Sequence, residues 1–182
     1  MKARTLPDFL APGLDIVSIG INPSLYSVER GFYFARPGNR FWPALNGSGL
    51  VAPPVAPSAE GVALLFREHR IGFTDLVKRA TARAADLCDA DYRRGAQALQ
   101  EKLLRHAPII AWFHGTSGYR LFLEHAGIPH AKIAVGLQPE RLGSIRIFVT
   151  PNPSGANPAA NPKLLLPLYR ELAALRDHLK AD

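Results

Sequence analysis

The chain has 182 residues, 47% of them hydrophobic, and a formal net charge of +7 from 22 Lys and Arg against 15 Asp and Glu. That length suits one domain over residues 1–182 with a sizeable core, and the cationic excess favours a polyanionic partner such as nucleic acid. The single cysteine, Cys88, excludes an intrachain disulfide, a Cys-rich zinc site and a thiolate-held iron–sulfur cluster.

Met1 to Leu14 carries Lys2 and Arg4 but no long apolar run, and no later stretch approaches membrane-spanning length. The expectation is a soluble cytoplasmic protein with no membrane partner. Asp15 to Ile21 (DIVSIGI) is a short β-branched run closed by Asn22-Pro23, the pattern of a buried strand feeding a loop. Gly31 to Gly38 mixes aromatic, Gly and Pro residues and reads as a structured loop; Asn39 to Leu45 then opens a helix with Asn39 as its cap. Val51 to Ser58 is a Pro-rich surface crossing, and Ser58 caps a helix over Ala59 to Glu68. Tyr92, Ala96, Leu99, Leu103 and Leu104 recur at helical spacing and define the next helix, ended by Pro108. Cys88, just before it, is expected to behave as a small buried apolar residue.

Ile109 to Phe113 (IIAWF) is a second buried strand, with His114 in the turn beyond it. Ser117 to His125 is a short helix, closed near Gly127. Lys132 to Gly136 is a candidate strand, and Ile145 to Thr150 (IRIFVT) is another that runs into the loop Pro151 to Pro158. The last helix starts with Asn161 as cap and Pro162 in its first turn, and presents a core stripe of Leu165, Leu168, Leu172, Leu175 and Leu179. Strands that alternate with helices predict an α/β fold around a mostly parallel sheet. Two strands end in Asn-Pro loops, and ligands of such sheets lie beyond the carboxyl ends of the strands.

The first of these loops reads Gly20-Ile21-Asn22-Pro23-Ser24, followed by Gly31-Phe32-Tyr33-Phe34-Ala35 and Pro37-Gly38-Asn39-Arg40-Phe41-Trp42. The second reads Pro151-Asn152-Pro153-Ser154-Gly155. With Gly72-Phe73-Thr74-Asp75-Leu76-Val77 and Tyr169-Arg170-Glu171-Leu172, this pattern resembles the mismatch-specific uracil (thymine) DNA glycosylases of the uracil-DNA glycosylase superfamily. The resemblance covers nearly the whole chain. It implies a three-layer α/β/α sandwich and a monofunctional enzyme that flips uracil, especially opposite guanine, from DNA and hydrolyses its N-glycosidic bond. It implies no cofactor and no metal, a monomer, and DNA as partner; two departures from the pattern, at Ala156 and Asp75, extend the expected substrate from double-stranded to single-stranded DNA.

The chemistry suits these residues. Base excision needs the target nucleotide outside the stack, an anion site for the departing base and a water aimed at the sugar. An amide holds a water through its carbonyl oxygen without adding charge, and the resemblance gives that task to Asn22. Phe34 matches the aromatic that stacks on the flipped base, although Phe32 and Tyr33 compete for it on composition. Asn39 and the backbone amides near Ile21 and at Phe34 are the other candidates for holding the base. The loop of Asn152, Ser154, Gly155, Ala156 and Asn157 is the one expected to enter the duplex.

Two positions depart from the pattern. Ala156 stands where a bulky apolar wedge is common, and a methyl group fills little of the space left by a base. Asp75 stands where Lys or Asn is common; its carboxylate would orient or deprotonate the water or stabilise the cationic sugar, or else Thr74-Asp75 caps the next turn. Lys78, Arg79, Arg83 and Arg40 flank the motifs as candidate phosphate contacts, and the six histidines form no metal-ligand spacing. A histidine near Gly155, typical of other branches of the superfamily, is missing. The competing readings are a non-enzymatic DNA-binding α/β module, which would need neither Asn22 nor Phe34, and a small hydrolase using Ser154, which lacks the G-x-S-x-G elbow.

Overall fold

The computed structural model describes residues 5–181; Lys2 and Arg4 lie outside the described residues. Five strands form one sheet in the order β2-β1-β3-β5-β4. They are β1 (Ile16–Gly20), β2 (Ile71–Asp75), β3 (Ile110–His114), β4 (Gly136–Leu142) and β5 (Ile145–Thr150). The pairs β1–β2, β1–β3 and β3–β5 are parallel, and only the edge pair β4–β5 is antiparallel. The central strands are buried on both faces, so their residues alternate between two cores instead of between core and water.

On one face Ile16, Phe73, Ile110, Trp112 and Phe148 meet α2 (Phe41–Gly47), α3 (Ala59–Arg67) and α6 (Pro162–Ala181). On the other face Val17, Ile19, Ala111, Phe113, Ile147 and Val149 meet α4 (Asp89–His106) and α5 (Thr116–Ala126). The short α1 (Leu25–Arg30) follows the first Asn-Pro loop. This is the expected three-layer α/β/α arrangement. Among the described residues, no helix is long and apolar enough to cross a membrane.

Several local expectations hold for the reasons given. The Ser58 hydroxyl accepts from Gly61 N at 2.8 Å, Asn161 Oδ1 accepts from Lys163 N at 2.9 Å, and α4 ends at His106 with Ala107 left-handed before Pro108.

Others are corrected. The strand expected over 132–136 begins only at Gly136 and runs to Leu142. It carries Pro139, which an edge strand tolerates because one of its sides needs no ladder hydrogen bond, and its register shifts between Leu137 and Arg141. β2 lacks a periodic signal of its own, since Gly72 and Asp75 interrupt its apolar residues, yet all five residues are buried. In the last helix, Tyr169 and Ala173 are buried beside Leu165 and Leu172, whereas Leu168 is only half-buried. Leu104 is 51% exposed and belongs to no core stripe. Cys88 is exposed, at the N-cap of α4. His114 is not in a turn; it is the buried last residue of β3.

Candidate active site

The parallel pairing of β1 and β2 continues past both strands. Leu76 N donates to Gly20 O and Val77 N to Ile21 O, each at 2.8 Å, and Ser24 bridges Thr81 further on. The segment 76–81 therefore lies along the first Asn-Pro loop, and it fixes Asn22. Asn22 Nδ2 donates to Arg79 O at 2.9 Å and to Thr81 Oγ1 at 2.7 Å. The Thr81 hydroxyl spends its own proton on Arg83 O at 2.7 Å, so it can only accept from Asn22. Two acceptors on one side of the amide demand that the NH2 face them, which leaves Oδ1 on the other side. Asn22 lines a cavity of about 450 Å3 at the carboxyl ends of β1 and β2. That volume lies within the roughly 300–1,000 Å3 of small-molecule sites.

Asp75 ends β2 opposite Gly20 in register and lines the same cavity. It is 4% exposed. A Cβ built on Gly20 would stand 2.7 Å from Asp75 Oδ1, so glycine at position 20 makes the room in which the carboxylate sits. Asp75 Oδ2 has no hydrogen-bond partner, and the Lys78 ammonium lies 3.5 Å from it. Burial pushes the Asp75 carboxyl up to about 6, against the pull of Lys78 and with a push from Asp8. Thr74 lies inside the strand and Asp75 is its last residue, and Asp75 Oδ2 takes no backbone amide, so the pair is not read as a turn cap. Thr74 Oγ1 instead donates to Asp8 Oδ1 at 2.8 Å.

Phe34 forms another wall of the cavity. Its ring stacks on Phe41 at 4.1 Å between centroids and 14° between planes, which leaves the opposite face uncovered by Phe41. Its φ of 57° is left-handed, a costly conformation for an aromatic residue and one that clusters at functional sites. Trp42 Nε1 donates to Phe34 O at 3.2 Å and helps to hold this backbone. The His114 ring meets Phe34 edge-on at 5.0 Å; burial pushes its imidazole down to about 3, so it is neutral, and its Nε2 lies 2.8 Å from Ser18 Oγ. Of the three competing aromatics, Tyr33 is buried and points its hydroxyl at Pro7 O, while Phe32 packs at the edge of the core. Asn39 lines the cavity and its Oδ1 accepts from Phe41 N at 2.9 Å, but the N-cap of α2 is Arg40, one residue later than the sequence suggests.

The second Asn-Pro loop closes the cavity through Asn152, Ser154 and Ala156. Its internal bonds explain much of its sequence. Asn152 Oδ1 accepts from Ser154 N at 3.0 Å. Asn157 Nδ2 donates to Asn152 O at 2.8 Å, and its Oδ1 accepts from Ala159 N at 3.1 Å. A Cβ on Gly155 would come within 2.9 Å of Gly38 O, so glycine here permits the close approach of the two loops. Ile21 lines the cavity, and its side chain packs against Gly118 of α5.

The motifs thus converge on one cavity, and a family comparison agrees with them. The model of the Uracil DNA glycosylase superfamily matches residues 7–173. The chain belongs to the uracil DNA glycosylase superfamily. The fold is also similar to the solution structure of a candidate uracil DNA glycosylase from Methanosarcina acetivorans, with a TM-score of 0.58 and 21% identity over 97% of this chain and 98% of that one.

In this superfamily member the four basic residues that flank the motifs also bond within the protein. Lys78, Arg79 and Arg83 are ion-paired with Asp8, Asp91 and Asp86, and Arg40 donates to Asn157 O at 3.2 Å, so all four have partners within the protein. Sequence reasoning missed Thr81 and Asp8 as parts of the site, and it weighed Tyr33 only as a stacking ring and not as a hydroxyl beside Lys78. Their residue types carry no signal at that distance in the chain. Among the described residues there is no group of three or more His, Cys, Asp or Glu that would hold a metal ion.

Proposed function

We propose that this protein is a monofunctional DNA glycosylase that accepts uracil flipped from DNA into the cavity and hydrolyses its N-glycosidic bond. The observation that carries the reading is the Asn22 amide, whose Nδ2 is held by two acceptors so that Oδ1 faces away from them, in a residue that lines one cavity with Asp75 and Phe34. Phe34 stacks on the base through the face Phe41 leaves open, worth roughly 1–3 kcal/mol. Asn39 and backbone amides around Ile21 and Phe34 meet the edge of the uracil. Asn22 Oδ1 accepts a hydrogen bond from a water and aims it at the sugar C1′. As the C1′–N1 bond breaks, its electron pair leaves with the uracil, the water oxygen bonds C1′, and the released proton passes to the Asp75 carboxylate. The departing uracil takes a proton from solvent. Water, not a protein amine, is the nucleophile, so the product is an intact abasic site.

The finer reading concerns strand context. The loop Asn152–Asn157 enters the duplex, but Ala156 is exposed and small, and both polar groups of Asn157 are already used within the loop. Selectivity then rests mainly on how easily the target nucleotide leaves its stack. Uracil is removed opposite guanine, in other pairs and from single strands.

The test is release of free base by purified protein from oligonucleotides carrying uracil in single strands and opposite each base, with a thymine–guanine mismatch alongside. Uracil release that vanishes with Asn22→Ala is the expected result. DNA binding without release in any context would leave the non-enzymatic DNA-binding module as the correct reading.

A further inference from the structure

Asp75 stands next to a run of charges that the catalytic scheme above does not use. The N-terminal segment is clamped to β2 by a reciprocal pair of bonds, Phe9 N to Phe73 O at 2.9 Å and Phe73 N to Phe9 O at 3.0 Å. This holds Asp8 beside Thr74. Asp8 Oδ2 takes a bond from Lys102 of α4 at 2.7 Å, and its Oδ1 lies 2.7 Å from Lys78 Nζ. The same Lys78 ammonium donates to the Tyr33 hydroxyl at 3.2 Å and stands 3.5 Å from Asp75 Oδ2. One ammonium is therefore shared by two carboxylates, and it sits closer to the more exposed one: the Asp8 side chain is 25% exposed and that of Asp75 4%.

We propose that Asp8 and Lys78 are positioning residues for Asp75: Asp8, anchored by Lys102 and Thr74, holds the Lys78 ammonium back, so that Asp75 keeps one oxygen free of any closed salt bridge. The inference rests on Asp75 acting as the proton acceptor. A carboxylate locked to an ammonium at contact distance is a weak base, because the cation favours its charged form. A buried carboxylate with no cation nearby stays protonated at neutral pH. The shared lysine gives the intermediate case. The direction of the Asp75 shift agrees, since burial and Asp8 push it up and Lys78 pulls it down.

Other charges near Asp75 are accounted for. A smaller cavity behind it is lined by Arg79, Asp91 and Arg94, and both arginines pair with Asp91, at 2.6 and 3.4 Å. On the wall of the main cavity, Arg83 pairs with Asp86, while Arg36 lies over the Tyr26 ring. Tyr33 donates to Pro7 O and remains an uncharged phenol, its ionisation suppressed by burial and by Asp75.

The experiment is the pH dependence of single-turnover uracil excision by wild type, Asp8→Asn, Lys78→Met and Asp75→Asn. A carboxyl-carbon NMR titration of Asp75 in the first three proteins accompanies it. Asp8→Asn releases Lys78 toward Asp75 and is expected to move both the acid limb and the NMR midpoint down by about one pH unit. Lys78→Met is expected to move both up by about one unit. Opposite shifts are something a merely structural role does not produce. Midpoints that stay put, or move the same way in both variants, overturn the proposal. An Asp75→Asn enzyme with a normal rate and an intact acid limb would instead remove the proton-acceptor role, and the NMR midpoints still decide the effect of Asp8 and Lys78. If Asp8→Asn does not fold, the upward shift in Lys78→Met decides alone.

Discussion

Gly20→Ala tests the geometry of the cavity more sharply than removal of a functional group. The new methyl carbon would sit 2.7 Å from Asp75 Oδ1, where ordinary contact begins at 3.4 Å, an overlap of 0.7 Å. The backbone cannot retreat, because it is held in register with Gly20 itself, so the carboxylate relieves the overlap only by turning its side chain toward the cavities it lines. Overpacking of this kind costs about 1–3 kcal/mol. For a chain of this size that amounts to a fall in melting temperature of roughly 2–12 °C, at about 2–4 °C per kcal/mol. Displacement of a catalytic group by a sizeable fraction of an ångström lowers the rate by up to about 100-fold. Single-turnover uracil release and thermal denaturation read the two effects. The decisive comparison is a double-mutant cycle. In an Asp75→Ala background the obstacle is gone, so Gly20→Ala should cause little further loss of rate or stability. Equal losses in both backgrounds would show that the methyl acts on something other than Asp75.

Asn22→Ala is expected to lower excision by at least about 100-fold with little change in melting temperature, whereas Thr81→Val, which removes only one of the two acceptors holding the amide, should cost about tenfold, the weight of one hydrogen bond; near wild-type rates in Asn22→Ala would be the contrary result. Phe34→Ala should reduce excision more than duplex binding, and unchanged flipping in a base-analogue fluorescence assay would make Phe34 a core residue only. Asp75→Asn should lose activity yet gain stability at neutral pH. Its folded value of about 6 lies above the ordinary 3.8, so the fold binds that proton more tightly than the unfolded chain does. The stabilisation is full below pH 4 and lost as pH rises through 6, so the gain in Asp75→Asn, on the order of 3 kcal/mol at pH 8, should vanish near pH 4 in denaturation curves. The wild-type rate should fall below pH 6 for the same reason, as the proton acceptor fills. Ala156→Leu should raise activity on duplexes relative to single strands, and an unchanged ratio would mean that this loop does not enter the stack.

A carboxylate that is both buried and short of partners destabilises the fold that contains it, and a protein built for stability alone would place Asn or Ser there. Gly20, which gives up side-chain packing at the end of a buried strand, adds to the same cost. Both choices become intelligible if the carboxylate has a task in the cavity beside it.

The sequence by itself determined the strands β1, β3 and β5, the caps at Ser58 and Asn161, and the two Asn-Pro loops. These are local matters: a strand buried on both faces must be apolar throughout, and a cap needs its oxygen two or three residues from the amide it serves. It also carried the motifs that place the chain in its superfamily. It did not determine β2, whose Gly72 and Asp75 break the apolar pattern and whose burial comes from the N-terminal segment and α3. Nor did it determine how Asn22 is turned or how strongly Asp75 holds a proton. Asn22 is oriented by Thr81, 59 residues away, and Asp75 is tuned through Asp8, which reaches Thr74 across 66 residues and Lys102 across 94. Amide orientation and proton affinity are properties of neighbours in space, and those neighbours meet only when the parallel ladder forms and α4 packs over it.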